Sequence, residues 1–350
     1  MEVVTNLLTQ IFGADTSPLV LLISGGLIMA LVMALVMAMC AIVFTWMERK
    51  VAGFIQSRYG PMRVGRFHGV AQPVADMLKI LQKEDIIPAA ADKPMFMLAP
   101  FVIFIGSLLA WACIPFAPGF IAADLDLGLF YIFAVSSLAV IGILMAGWSS
   151  NNKWALYGAA RGAAQIVSYE IPLALAAIPV VMATGSLNMN DIVNAQQGGV
   201  GNWFLFYNPF VFIAFVIYFL CSIAEVNRTP FDLPETESEL VAGYHTEYTG
   251  MRFAFFFLAE YANLFLVSCV ATALFLGGWW SPVPGLDFAP ALGFVVKAVI
   301  LVFLQMWLRW TLPRLRVDQL MHVCWKVMIP LSLLAVVGAG IWMMVSGQVA

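Results

Sequence analysis

Charge is what this chain lacks most. Aspartate, glutamate, lysine and arginine make up 11% of its 350 residues, against 62% hydrophobic residues. An average soluble domain carries roughly 25% charged residues, so this composition excludes an ordinary water-soluble globule. Histidine is scarce as well: His68, His245 and His322 stand far apart, without the spacing that zinc ligands show. Cys40, Cys113, Cys221, Cys269 and Cys324 lie in or beside apolar runs and form no CxxC pair, so they read as small hydrophobes. Neither a GxxxxGK[ST] loop nor a GxGxxG turn occurs, which removes local support for nucleotide binding. No flavin, haem, iron–sulfur cluster or zinc is expected in this chain. If its biology is redox, the electrons run elsewhere.

Apolar residues come in runs. Segments 17–46, 94–116, 127–148, 163–184, 204–224, 253–278, 289–308 and 327–346 each approach the roughly 20 residues that a bilayer-spanning helix needs. The expected fold is an all-α polytopic membrane protein of about eight transmembrane helices with amphipathic cytoplasmic helices, a single integral membrane domain over residues 1–350. The first 16 residues lack the basic start and cleavage site of a signal peptide, so the first span is expected to be retained. Segments 48–93, 149–162, 225–252 and 309–326 hold 8, 2, 2 and 4 lysines and arginines, 16 of the 17. With eight spans these segments share one side. The positive-inside rule makes that side the cytoplasm, or a mitochondrial matrix, and places both termini opposite.

Acidic residues are concentrated in one place. Glu225, Asp232, Glu235, Glu237, Glu239 and Glu247 crowd into AEVNRTPFDLPETESELVAGYHTEY, six of the chain's 20 acids. Crowded carboxylates beside a membrane repel and desolvate one another, and such groups take up and release protons readily. A plainer reading is that Thr236 and Glu239 form a capping box opening a helix. That accounts for one pair and leaves the other acids over.

Four charges lie in or at the edge of apolar runs: Glu170, Glu225, Glu260 and Lys297. A lone charge in hydrocarbon is costly, so each should face the bundle interior and find partners or water. Together with the loop acids the glutamates could form a wet, acidic path to mid-membrane. The alternative is a set of static ion pairs, such as Lys297 holding one glutamate. Pro172 follows Glu170 by two residues and should free backbone carbonyls there. Gly158 and Gly162 read as sites of close helix packing.

Two basic segments flank the acidic one. In the first, Arg49, Lys50, Arg58, Arg63 and Arg66 surround a Gly-Pro turn, and Val70, Val74, Met77, Leu78 and Leu81 then fall on one face of a helix. Such a helix lies in a membrane interface, and Asp76 is the residue that lipid does not explain. In the second, Arg309, Arg314 and Arg316 stand near Asp318. These arginines would dock an acidic soluble partner, answer the 225–247 carboxylates, or rest on lipid phosphates.

The motifs MERKVAGFIQSRYGP, GVAQPVADMLK, GWSSNNKWALYGAARGAAQIVSYEIP, AEVNRTPFDLPETESELVAGYHTEY, FFFLAEYAN and WLRWTLPRLRVDQLM resemble the H-subunit family of proton-pumping NADH:quinone oxidoreductases (respiratory complex I). The likeness runs from about residue 46 to 330. It implies a subunit that docks a hydrophilic arm, helps enclose a quinone tunnel and couples quinone chemistry to antiporter-like membrane subunits. By resemblance, Glu170, Glu225, Glu235, Glu237, Glu239 and Glu260 match the family's acidic proton path. Arg49, Asp76, Phe231, Asp232 and Arg309 sit in motifs that adjoin the quinone chamber, and Tyr169 and Glu247 are weaker correspondences. No residue is assigned a catalytic role. Quinone is implied as substrate, with FMN and iron–sulfur clusters in partner subunits and a bacterial plasma (inner) membrane as the location. The sequence departs from the family pattern at Arg66-Phe67-His68 and at Val317.

Two other classes stand beside this reading. One is the equivalent subunit of a membrane-bound hydrogenase-type complex. The other is a stand-alone secondary transporter, which would often show paired halves; no internal repeat is visible.

Overall fold

A computed structural model describes residues 18–65, 68–282 and 289–347. Arg66, Phe67, Asp287 and the two chain ends, on which some of the sequence reading falls, lie outside the described residues. The helices are α1 (Pro18–Ile55), α2 (Gln72–Gln82), α3 (Lys93–Ala110), α4 (Gly128–Ser136), α5 (Leu138–Ser149), α6 (Lys153–Thr184), α7 (Pro209–Glu225), α8 (Gly250–Phe275), α9 (Pro290–Thr311), α10 (Val317–Val323) and α11 (Ile329–Ser346). Shorter turns join them, and among the described residues there is no β-strand.

Among the described residues, seven helical stretches are long and apolar enough to cross a membrane, and α7 is a shorter apolar helix of 17 residues. They occupy the eight apolar segments. This is an all-α polytopic membrane protein. The expected span at 204–224 is broken: Phe204–Tyr207 forms its own turn, and the Asn208 side chain then accepts from Val211 N at 2.7 Å to start α7 with Pro209 in its first turn. At about 1.5 Å per residue α7 is about 25 Å long, shorter than the roughly 30 Å hydrocarbon layer. α1, by contrast, extends for 38 residues. Its Leu27, Leu31, Leu35 and Met39 form an i, i+4 stripe that is exposed among the described residues.

α8 runs through the middle of the bundle, with every residue from Leu264 to Phe275 buried. A helix apolar and enclosed on all sides belongs to a core. Its C-terminal end is tied by Lys297, whose Nζ donates to Leu276 O at 2.7 Å and Trp280 O at 2.9 Å and lies 4.7 Å from the Trp203 ring centroid. The expected alternative, a static pair of Lys297 with a glutamate, is thereby corrected. Carbonyls left unpaired at a helix C-terminus attract a cation without any carboxylate.

Pro172 does free a carbonyl, and the structure shows its new partner. α6 continues through Pro172 and Pro179, and the missing N–H of Pro172 leaves Ser168 O without its helical donor. Cys324 Sγ donates to that oxygen at 3.0 Å, from the first turn of the π-helix Cys324–Met328 between α10 and α11. Cys324 is therefore more than a small hydrophobe.

Candidate functional site

The site is assembled at the end of the bundle where α1, α8 and α9 meet the loop between α7 and α8. Thr45, Glu48, Arg49 and Ala52 follow one another along α1, while Phe253, Phe257, Glu260 and Tyr261 recur at helical spacing on one face of α8. Arg228, Glu235 and His245 come from the loop, and Arg309 from the last turn of α9. These residues line a chamber of about 580 Å³.

Its wall is organised around buried Glu48. Arg228 Nη1 donates to Glu48 Oε2 at 3.1 Å, Tyr261 Oη donates to the same oxygen at 2.6 Å, and Arg309 Nη1 donates to Oε1. Arg228 also brings its Nε within 2.8 Å of Glu260 Oε1 and stacks on the Tyr261 ring at 4.4 Å. Two carboxylates and two guanidiniums thus balance in charge, as a buried ionic cluster must. Burial alone would favour loss of the Arg228 charge; Glu260 and Glu48 outweigh it and hold this guanidinium firmly protonated.

The loop is positioned by glycines. A Cβ on Gly158 of α6 would come within 2.7 Å of Gly243 Cα, one on Gly162 within 3.0 Å of Pro234 Cγ, and one on Gly243 would collide with Pro234 O. Gly243 also has φ +56°, a left-handed conformation that favours glycine. Gly158 therefore admits the acidic loop, and Gly162 admits the loop together with Ile143 of α5, so the expected close helix packing holds only at Gly162. The capping box is corrected too: the Thr236 hydroxyl donates back to Asp232 O at 2.9 Å and Leu233 O at 3.1 Å, and Glu239 pairs with Arg161 at 2.6 Å.

A second cavity, about 480 Å³, lies between α1, α2 and α8 and adjoins the first. Its lining is largely apolar, with Ala38, Ala41, Ile42, Met77, Ala254 and Leu258 among it, and it shares Thr45, Arg49, Phe253 and Phe257 with the charged chamber. The ion pair of Arg49 with Asp76 stands at this boundary and binds α1 to α2. An apolar slot beside a charged, arginine-rich chamber suits an amphiphile with a long apolar tail and a polar head.

The profile of the NADH dehydrogenase family matches residues 27–340. The H subunit of NADH-quinone oxidoreductase from Chlorobaculum tepidum is 52% identical over 332 residues, covering 91% of this chain and 92% of the relative. The H subunit from a Geobacillus species is 55% identical over 288 residues, covering 82% and 84%. That of Anaeromyxobacter dehalogenans is 44% identical over 342 residues, covering 92% and 83%. The chain belongs to the H-subunit family of NADH-quinone oxidoreductases.

Against the expectations for an H subunit, the structure brings some residues together and separates others. Arg49, Glu235, Glu260 and Arg309 line the chamber, and Asp76 lines the slot. Phe231 is buried against Tyr169, ring centroids 5.2 Å apart, and lines neither cavity. Tyr169 in turn donates to Leu320 O at 3.0 Å. Asp232 faces Arg314 at 2.9 Å, so one basic residue of 309–326 does answer the acidic loop; burial first, then the Glu235 charge, push the Asp232 carboxyl up to about 6 against the pull of Arg314. Arg316 pairs with Asp318 at the exposed surface. Glu225 ends α7 and Glu170 lies in the part of α6 interrupted by Pro172, and α6 and α7 pack against each other. Asn152 donates to Glu247 at 2.6 Å. The side chain of Glu237 lies outside the described residues.

The central residues of this H-subunit cluster, Glu48, Arg228 and Tyr261, were not singled out in sequence. Glu48 begins the basic run ERK and Arg228 sits among the loop acids, so each looks like ordinary interfacial charge. The available signal was the mismatch of sign with their neighbours.

Proposed function

We propose that this chain is the membrane subunit of a proton-translocating NADH-quinone oxidoreductase that takes quinone through the slot into the charged chamber. The adjacency of the slot and the chamber, which share Thr45, Arg49, Phe253 and Phe257 in their walls, carries this reading. The apolar lining accommodates the isoprenoid tail, and the arginines and glutamates face the head group. Electrons come from NADH through FMN and iron–sulfur clusters held by hydrophilic partner subunits, which dock on the loop side. The change of charge that accompanies quinone reduction or quinone movement acts on the Glu48–Arg228–Glu260–Arg309 cluster, whose oppositely charged members respond together at short range. Glu235, Glu237 and Glu239 belong to the loop that moves with it, and Glu225 and Glu170 pass the altered protonation laterally to antiporter-like membrane subunits. In this reading the chamber faces the cytoplasm from a bacterial inner membrane and both termini are periplasmic, which the one-sided basic segments support.

The reading is tested with a long-tailed quinone carrying a photoreactive azido group on its tail, irradiated in the purified complex. Labelled peptides from α1, α2 and α8 are expected, competed by unlabelled quinone. Labelling confined to partner subunits would remove quinone access from this chain. In parallel, Glu260→Gln is expected to keep assembly and lose at least tenfold in coupled quinone reduction; native rate and pumping would end the coupling role.

A further inference from the structure

The charged chamber has an imidazole in its wall that stands outside the ionic cluster. His245 borders the cavity, and its Nε2 lies 2.8 Å from Glu235 Oε1. Its Nδ1 is buried and has no hydrogen-bond partner. The ring is held edge-on to Phe253 and Phe256 of α8, at centroid distances of 5.4 and 5.1 Å, and lies 4.0 Å from the Tyr244 ring. Tyr244 Oη donates to the same Glu235 oxygen at 3.4 Å. A carboxylate that fixes one imidazole nitrogen leaves the other as a defined base or acid, the arrangement that general acid–base chemistry requires.

Most of the surrounding charges already have a partner of opposite sign; among the described residues the Arg58 side chain in the chamber wall bonds only Gln56, and Glu247 accepts from Asn152. On α6, Arg161 is taken by Glu239; on α8, Arg252 is taken by Asp85 at 3.0 Å, and Glu260 by Arg228. α5, which also packs against this turn, carries no ionisable side chain over Leu138–Ser149. The Glu235 carboxyl would be pushed up by burial, but His245, then Arg228 and Tyr244, hold it below the ordinary carboxylate range. The ring is thus coupled to one acid, and its second nitrogen has no structural bond to make.

We propose that His245 and Glu235 form a proton-exchange dyad in the chamber wall, His245 carrying a proton between the chamber and Glu235 during quinone turnover. In the neutral ring Nε2–H points to Glu235 and Nδ1 is the acceptor. A proton arriving at Nδ1 forms a second N–H bond and makes the imidazolium. Breaking the Nε2–H bond and forming an O–H bond on Glu235 returns the ring to neutrality, so one positive charge has moved from chamber to carboxylate. The reverse step returns it. No electrons are exchanged by the dyad; those belong to the quinone reaction of the proposed function, on which this inference rests.

The test is the pH profile of coupled quinone reduction in the intact complex, reconstituted in vesicles, for H245Q, E235Q, the double variant and E260Q. Glutamine at 245 keeps a donor for Glu235 without a titratable nitrogen. Assembly is read by comigration with partner subunits on native gels. H245Q is expected to lose at least tenfold in rate and to flatten the pH profile, E235Q to do the same, and the double variant to be no worse than either. H245Q with native profile and a rate within twofold overturns the dyad. If H245Q does not assemble, E235Q decides, since it leaves the ring in place: a native profile overturns the dyad and a flattened one supports it. E260Q separates the two levels. A slowed E260Q beside a native H245Q removes only the dyad, whereas both variants being native removes the chamber reading as well.

Discussion

Arg228 lies between two glutamates from different helices, its Nε 2.8 Å from Glu260 Oε1 and its Nη1 3.1 Å from Glu48 Oε2. Its side chain is 5% exposed, so water cannot replace it. Arg228→Met is expected to leave two facing carboxylates buried and underpaired, at a cost of about 3–5 kcal/mol. Thermal unfolding of the purified complex, or loss of the chain from it, measures this. Arg228→Lys keeps the charge but loses the fork that reaches both acids. It should assemble and still lose most quinone-reductase activity. Native stability in Arg228→Met would show that the cluster does not hold α1, α8 and the loop together.

Much of this was legible in sequence, for a physical reason. Long apolar runs and one-sided basic residues follow from the solvent, so α1, α3, α6, α8, α9 and α11 could be placed from composition. Glu260 could be singled out because a carboxylate inside FFFLAEYANLF has no cheap explanation. Glu48 could not, since a glutamate beside Arg49 and Lys50 looks locally neutralised. Only the fold reveals that Glu48 turns inward to Arg228 and Arg309, while Arg49 turns to Asp76. The partners of Lys297 were hidden for a similar reason, because helix-end carbonyls leave no mark in sequence.

Gly158 and Gly243 hold the acidic loop against α6 by leaving space, so filling that space should release it. Gly158→Ala puts a methyl 2.7 Å from Gly243 Cα, and overpacking of this kind costs about 1–3 kcal/mol. Gly243→Ala adds an unfavourable φ to a still closer contact, with Pro234 O. The expected order of thermal stability is wild type, then Gly158→Ala, then Gly243→Ala, with limited proteolysis cutting the loop first. Unchanged protease resistance in both variants would show that the loop is anchored otherwise.

Cys324 and Pro172 should be coupled through Ser168 O. Cys324→Ala leaves that carbonyl without a donor, at a cost of about 1–3 kcal/mol. Pro172→Ala restores a helical N–H to the same oxygen. A double-mutant cycle is therefore expected to be non-additive, Cys324→Ala costing much less in the Pro172→Ala background. Additive changes in unfolding temperature would mean that the sulfur contact carries no weight.

Asp232 should titrate within the working range of the enzyme. Burial and then Glu235 push its carboxyl up to about 6, from the ordinary 3.8, despite Arg314. Because the folded value is the higher one, the native state binds the proton more tightly than the unfolded chain. This group's contribution therefore favours folding more as pH falls through about 6 toward 3.8, and is least favourable above 6. Infrared titration of the complex should show a protonated-carboxyl band growing in near pH 6. That component should vanish in Asp232→Asn, whose stability should also vary less between pH 7 and 5; a band unchanged by the substitution would assign it to another acid.

The slot makes a demand that the chamber does not. If quinone reaches the charged wall between α1, α2 and α8, a bulky side chain in the apolar lining must impede passage while leaving every charge in place. Ala254 lines the slot from α8 and is absent from the chamber lining, which makes Ala254→Phe the sharpest probe. KM for a long-tailed quinone is expected to rise several-fold, with a smaller change for a short-tailed analogue, because only the long tail must still occupy the slot when the head has arrived. A substitution that merely distorted the chamber would slow both substrates alike and lower kcat. Equal effects on the two quinones would therefore place the obstacle at the head group and leave the slot without a role in quinone access.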